Sequence, residues 1–291
     1  MFCGDHLLAA KLRRSSSDAS AGAVEEVERI VTQIRGRWPQ VRIVLRADSG
    51  FAREALMSPP IVMRSAPSET EPQSGWCEAN AIDYVLGLAR NPRLVGEIAA
   101  ELAWAAAEDE QTRKPARRFK DFRYRTLDSW SCARRVVGKA EQLIDGSGEV
   151  SANPHFVVTS LKPEACSAQP LYERLYCARG GMENRIKECQ LDLFADRTST
   201  RAMRANQLRL VDPLRGSTAS MAYVLLDALR RIALPATRLA QATAGTIRLK
   251  LLKIGALVRL SVRRVTIKMA SGHPWQCDWA IAHRALMAAV G

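Results

Sequence analysis

Tyr176-Cys-Ala-Arg179-Gly-Gly-Met-Glu183-Asn-Arg-Ile-Lys187-Glu-Cys-Gln190 is the stretch on which the reading of this chain turns. Its tyrosine, arginine, glutamate and lysine are spaced three, four and four residues apart, steps that keep side chains on one face of an α-helix. Upstream, Val41-Arg-Ile-Val-Leu-Arg-Ala-Asp48-Ser-Gly-Phe51 predicts a β-branched strand ending in a second carboxylate. Phosphodiester chemistry needs an activated oxygen nucleophile and charge neutralisation at phosphorus, which paired divalent metals on hard carboxylate ligands supply. A strand-end Asp48 and a helix Glu183 are suitable residue types for such ligands. Each also has a plain structural reading. Asp48 can cap a turn with Ser49 and Gly50, and Glu183 can be a solvated glutamate in a salt-bridged face with Arg179 and Lys187.

The bulk properties favour a polyanionic partner. Forty-three Lys and Arg stand against 30 Asp and Glu, a net charge of +13, which suits nucleic acid or an anionic surface. The alternative is a basic surface without a partner. At 291 residues and 47% hydrophobic the chain can bury a substantial core in one large domain or two ordinary ones. No apolar run approaches the roughly 18 residues of a membrane span, and the amino terminus lacks the pattern of a secretory signal. Seven scattered cysteines without a Cys-x-x-Cys pair, and four dispersed histidines, fit reduced thiols in a cytoplasmic protein.

Outward from the central motif, helix and strand alternate in the manner of an α/β sheet. Residues 7–12 predict a strand following a turn at Gly4-Asp5. Val24, Val27, Ile30, Val31 and Ile34 mark an amphipathic helix over 20–38, closed by Pro39. A strand over 41–45 follows, then a Pro-rich loop over 58–75, a strand over 81–88 and one helix over 93–109. Residues 117–124, 135–140 and 156–160 predict short strands. Helices are expected over 170–190, 201–212, 218–232, 243–253 and 277–290, with a basic hairpin over 258–269.

These residues resemble the DDE transposases of bacterial insertion sequences, in the subgroup carrying a Tyr-x2-Arg-x3-Glu signature. Besides Ala47-Asp48-Ser-Gly-Phe and Tyr176-x2-Arg179-x3-Glu183, residues 84–91, 117–124, 156–161, 184–198 and 246–265 look like segments of that family. The resemblance covers most of residues 1–270. It implies an α/β, ribonuclease H-like mixed sheet with flanking helices, a β-rich insertion and a helical basic C-terminal region. The expected divisions are 1–115 (first part of the core), 116–161 (insertion), 162–235 (core with the Glu-bearing helix) and 236–291 (basic region). Asp48 and Glu183 would be the second and third catalytic carboxylates, holding Mg²⁺ or Mn²⁺. Tyr176 and Arg179 would contact DNA phosphate. The implied partner is double-stranded DNA, at transposon ends and target, with a homodimer in a synaptic complex and a place at the bacterial nucleoid.

The chain also departs from that pattern. The family's first catalytic Asp precedes the hairpin at Gly4-Asp5, so the resemblance implies a truncated copy with impaired activity, and Asp5 at a turn is a poor substitute. The family lysine falls where Gln190 stands, leaving Lys187 as its candidate replacement. Gly180-Gly181 costs a helix roughly 1 kcal/mol per glycine, which predicts a break or kink there. Residues 58–75 and 211–217 interrupt family segments. Arg248, Lys250, Lys253, Arg259, Arg263, Arg264 and Lys268 form a basic cluster suited to phosphate tracking, or a solvated basic face. Two other functions stay open: a catalytically dead DNA-binding remnant, and a ribonuclease H-like nuclease.

Overall fold

The computed structural model describes residues 1–12, 14, 16–18, 20–57, 76–112, 116–144, 150–195, 201–203, 205–207 and 218–290. The two interruptions over 58–75 and 211–217 lie outside them. The chain divides into two compact units, Ser15–Gly180 and a second made of Met1–Arg14 with Gly181–Gly291. The second unit opens the chain with a hairpin, β1 (Phe2–Cys3) and β2 (His6–Leu7). The strand expected over 7–12 stops at Leu7, because the hairpin turns at Gly4 and forms a two-stranded sheet of its own.

The unit Ser15–Gly180 begins with α1 (Ala23–Arg37), which carries Glu25 and Glu26 in its first turn and Arg35 and Arg37 in its last, the arrangement its dipole favours. Then come β3 (Val44–Ala47), α2 (Glu54–Met57), α3 (Trp76–Ala79), β4 (Asp83–Leu88), α4 (Pro92–Glu97) and α5 (Ala99–Thr112). β5 (Arg117–Tyr124), β6 (Arg134–Ile144), β7 (Val150–Ala152), β8 (His155–Thr159) and the single turn α6 (Ala168–Pro170) complete it. The strands form one mixed sheet in the order β3-β4-β8-β6-β5, with β7 paired to β6. β3 and β4 are parallel, from Val44↔Asp83 to Ala47↔Leu86; every other pair is antiparallel. Residues 116–161 thus supply the antiparallel half of the same sheet.

Alternation along the strands divides the core into two layers. Tyr84, Leu86, Val136, Phe156 and Val158 face α1, α4 and α5, packed with Val27, Val31, Leu94 and Ile98. Val85, Val137 and Val157 face the opposite side and meet Leu171 and Tyr172. Burying each such side chain contributes roughly 1.5–3 kcal/mol. The helix expected over 93–109 is two helices, because the chain leaves helical geometry at Ile98 (φ −111°, ψ 21°). Ile98 is fully buried, and its Cγ2 lies 2.6 Å from where a β-carbon on Gly138 would stand. The glycine opens a hollow in β6 that Ile98 fills, and Gly96 weakens the helix just before it.

The second unit contains α7 (Gly180–Lys187), α8 (Thr218–Ile232), α9 (Ala244–Ile247), the hairpin β9 (Ala256–Leu260) and β10 (Val265–Met269), and α10 (Gln276–Val290). Its core gathers Leu226, Leu234, Leu239, Ile247, Leu251 and Ala282. The amino-terminal hairpin docks on α8: Phe2 meets Tyr223 edge-on at 5.6 Å, and the Tyr223 hydroxyl donates to the Asp5 carbonyl at 2.9 Å. No break occurs at Gly180, whose φ −54° and ψ −31° are helical. Instead the winding changes upstream, from a π turn over Leu171–Tyr176 to a 3₁₀ turn over Cys177–Arg179 and then α7. Variable winding keeps the backbone hydrogen-bonded without requiring the glycines to leave the helical region.

Candidate active site and nucleic-acid interface

Asp48 stands at the carboxyl end of β3, on extended backbone (φ −78°, ψ −175°), and caps the 3₁₀ turn Ser49–Phe51. Its Oδ1 accepts the Gly50 N–H at 3.0 Å. The turn-capping reading is therefore right for one oxygen of an exposed carboxylate at the end of a rigid strand.

Beside it, β4 is cut away at its penultimate residue, Gly87. A β-carbon there would lie 2.5 Å from the Tyr176 hydroxyl oxygen, 2.9 Å from the Ser49 nitrogen and 3.2 Å from the Asp48 carbonyl carbon. The missing side chain is what lets the Tyr176 hydroxyl and the Asp48–Ser49 backbone meet over the sheet. Arg46 holds the Tyr176 segment to β3 by donating to the Leu175 carbonyl at 3.0 Å. The Tyr176 ring packs on Tyr172 at 5.4 Å, and the Arg179 guanidinium lies over it at 4.7 Å. One unit thus brings together Asp48, Gly87, Tyr176 and Arg179. Gly87 is the member that reading by residue chemistry passed over; a glycine inside Tyr84-Val-Leu-Gly-Leu88 was the available signal.

The surroundings of this cluster are electropositive. Partial burial and the Lys139 ammonium hold His155 below its usual range, and Arg179 and Arg90 push the same way. Lys139 lies over the Tyr172 ring at 5.3 Å and pairs with Glu141. Burial opposes the charge on Glu141, but Lys139 and Arg117 together keep it below the ordinary carboxylate range. Burial drives the Tyr172 phenol upward, so it stays protonated.

Glu183 and Lys187 lie exposed on α7, in the other unit. The buried carboxylate of that stretch is Glu188, which accepts from Arg185 at 2.8 Å and Arg230 at 3.1 Å. Asp5 sits at its turn and pairs with Arg185 Nε at 2.8 Å. In the basic region, the Arg248 guanidinium lies over Phe194 at 4.7 Å and the Lys250 ammonium over Trp275 at 4.5 Å. Lys253 follows the π turn Arg248–Leu252 and is exposed. Arg259 pairs with Thr266 and Leu257 with Lys268, so Arg259 and Lys268 share one face of the hairpin, while Arg263 and Arg264 lie at its tip. The basic residues therefore form an aromatic-held set and a hairpin set rather than one continuous face.

Among the described residues no group of three or more His, Cys, Asp or Glu side chains is arranged to hold a metal ion. Asp48, with one oxygen committed to its turn, is not by itself a ligand set. No described helix is long and apolar enough to cross a membrane.

A mixed sheet flanked by helices, with an aspartate at the end of its parallel strand, defines the ribonuclease H-like class of DDE folds. The family model described as Transposase DDE domain group 1 matches residues 1–289, and the chain belongs to that family of transposases. No curated protein matches the chain.

Proposed function

We propose that this chain is an insertion-sequence transposase of bacterial type that engages double-stranded DNA. In this reading Tyr176 and Arg179 receive backbone phosphate beside Asp48. The observation that carries it is the close approach at Gly87 of the Tyr176 hydroxyl and the Asp48–Ser49 backbone, with the Arg179 guanidinium over the Tyr176 ring in electropositive surroundings. Arg179 offers a permanently charged, bidentate donor to phosphate, and Tyr176 a neutral hydroxyl. Asp48 and Glu183 are the carboxylates assigned to Mg²⁺- or Mn²⁺-dependent end cleavage and strand transfer. The second reading is a remnant that binds DNA without cutting it.

Duplex binding by fluorescence anisotropy tests the first part. The affinity should fall steeply and linearly on logarithmic axes as salt rises, and Arg179→Ala should weaken it. Salt-insensitive binding, or none at low salt, contradicts the reading. End cleavage with Mg²⁺ or Mn²⁺ tests the second. Activity that survives both Asp48→Ala and Glu183→Ala removes these carboxylates from the site, and binding without cleavage identifies the remnant.

A further inference from the structure

The Leu171–Tyr176 π turn lies across the six-stranded sheet and is held from both of its edge strands, β3 and β5. Its inner side is apolar: Leu171 and Tyr172 pack on Val85, Val137 and Val157 of the three strands between. From the β3 edge, Arg46 fixes the backbone at the Leu175 carbonyl. From the β5 edge, Arg117 donates to Glu173 through Nη1 at 3.1 Å and to Glu141 of β6 through Nη2 at 2.7 Å. Each carboxylate has a second anchor. Glu141 Oε2 accepts from Asn153 at 3.1 Å, and Glu173 Oε2 accepts from Gln169 at 3.0 Å. Gln169 and Arg117 hold the Glu173 carboxyl below its ordinary range, so the bridge is charged at neutral pH. The planar fork of an arginine suits two carboxylates at once, a geometry that a lysine ammonium does not match.

We propose that Arg117 is a positioning residue for Tyr176 and Arg179, acting through Glu173. All three of Glu173, Tyr176 and Arg179 lie on one continuous helical run. Apolar contact is not directional, so the Leu171–Tyr172 packing alone leaves the turn free to rotate or slip on the sheet. Directional bonds at Leu175 and Glu173, one from each edge strand, fix that rotation. The rotation sets where the Tyr176 hydroxyl meets Gly87 and where the Arg179 guanidinium stands over the Tyr176 ring. Arg117 and Lys139 are balanced by Glu141 and Glu173. The set therefore has no net charge to offer a phosphate and serves the site by geometry. The proposal rests on the reading of Arg179 as a phosphate contact, made above.

Duplex binding by the full chain, followed by fluorescence anisotropy across a range of salt, tests it. Glu173→Gln removes an anion, which by charge alone would tighten binding. Under the proposal it instead weakens binding about two- to fivefold, the strength of an exposed bridge. It also lowers the logarithmic salt slope by up to about 1, because the Arg179 contact is lost. Arg117→Lys keeps the charge and should weaken binding as much as Arg117→Met. Tighter binding by Glu173→Gln, or full affinity in Arg117→Lys, overturns the proposal. Glu173→Gln keeps the side-chain shape, so an Arg117→Met that fails to fold leaves that arm to decide. A second measurement needs no DNA. With ring-labelled tyrosine, the Tyr176 resonance, assigned by its loss in Tyr176→Phe, should move in Arg117→Met and Arg117→Lys. The melting temperature should change little, because the Arg117 side chain is half-exposed. An unmoved Tyr176 resonance overturns the proposal, even where the wild type binds no duplex. Affinity unchanged by Arg179→Ala sinks only the phosphate reading, and a shifted Tyr176 resonance then still supports the positioning role.

Discussion

The six-stranded sheet and the β9–β10 hairpin are both rich in apolar strand residues and do opposite things with them. In the sheet, Tyr84, Val85 and Leu86 are all fully buried, because helices cover one face and the Leu171–Tyr176 segment the other. In the hairpin, Val258 and Ile267 face each other across the strands with both faces open. Pattern decides which side chains share a face. Whether a third layer arrives decides whether that face becomes a core or a surface. The first region carries a buried core, and the second leaves its apolar side chains exposed.

The hardest test of this contrast is deletion of matched apolar groups. Leu86→Ala should cost about 2–5 kcal/mol, since a wholly buried leucine leaves a cavity. Ile267→Ala should change monomer stability by less than about 0.5 kcal/mol. Urea unfolding measures both. Comparable losses would mean that the hairpin is part of a core after all.

Gly87→Ala comes next and asks whether the sheet face is built around the site. The new methyl would press on the Tyr176 hydroxyl, which can move, and on the Ser49 nitrogen, which belongs to the backbone. A loss of about 1–3 kcal/mol is expected, together with weaker duplex binding as Tyr176 is displaced. Full stability with intact binding would detach Tyr176 from the strand-end aspartate.

How much of this was legible in the sequence follows from how local each feature is. The strands, the amphipathic α1 and the exposed hairpin are written in periods of two and three to four residues. Asp48 could be placed because it directly follows its strand. The break at Ile98 could not, because its cause is Gly138 on a strand across the sheet. Nor could the burial of Glu188 rather than Glu183: the deciding partner, Arg230, lies 42 residues away. The change from π to 3₁₀ to α winding before Glu183 has no periodic signature, since all three keep neighbouring turns in contact.

Smaller effects separate the two regions electrostatically. Arg259→Ala and Lys268→Ala should each lower the logarithmic salt slope of duplex binding by about 1 if the hairpin contacts phosphate. Neither should shift the melting temperature, because both are exposed on a two-stranded sheet. An unchanged slope would remove the hairpin from the DNA contact.

His155 supplies the smallest and most local signal. Its folded pKa lies below the unfolded value because of partial burial and nearby Lys139, Arg179 and Arg90. The unfolded chain therefore takes up this proton first as pH falls through the ordinary histidine range. Stability from this residue is present above that range and is lost on the way down to the depressed folded pKa. His155→Gln should flatten the stability curve across that window and leave the plateau above it in place. The same cations that depress His155 would be neutralised by a phosphate held at Arg179, so duplex binding should raise its pKa and be tighter at lower pH. An NMR titration of the imidazole, assigned by its disappearance in His155→Gln, reads this directly. A pKa unmoved by DNA would place the phosphate path away from Arg179.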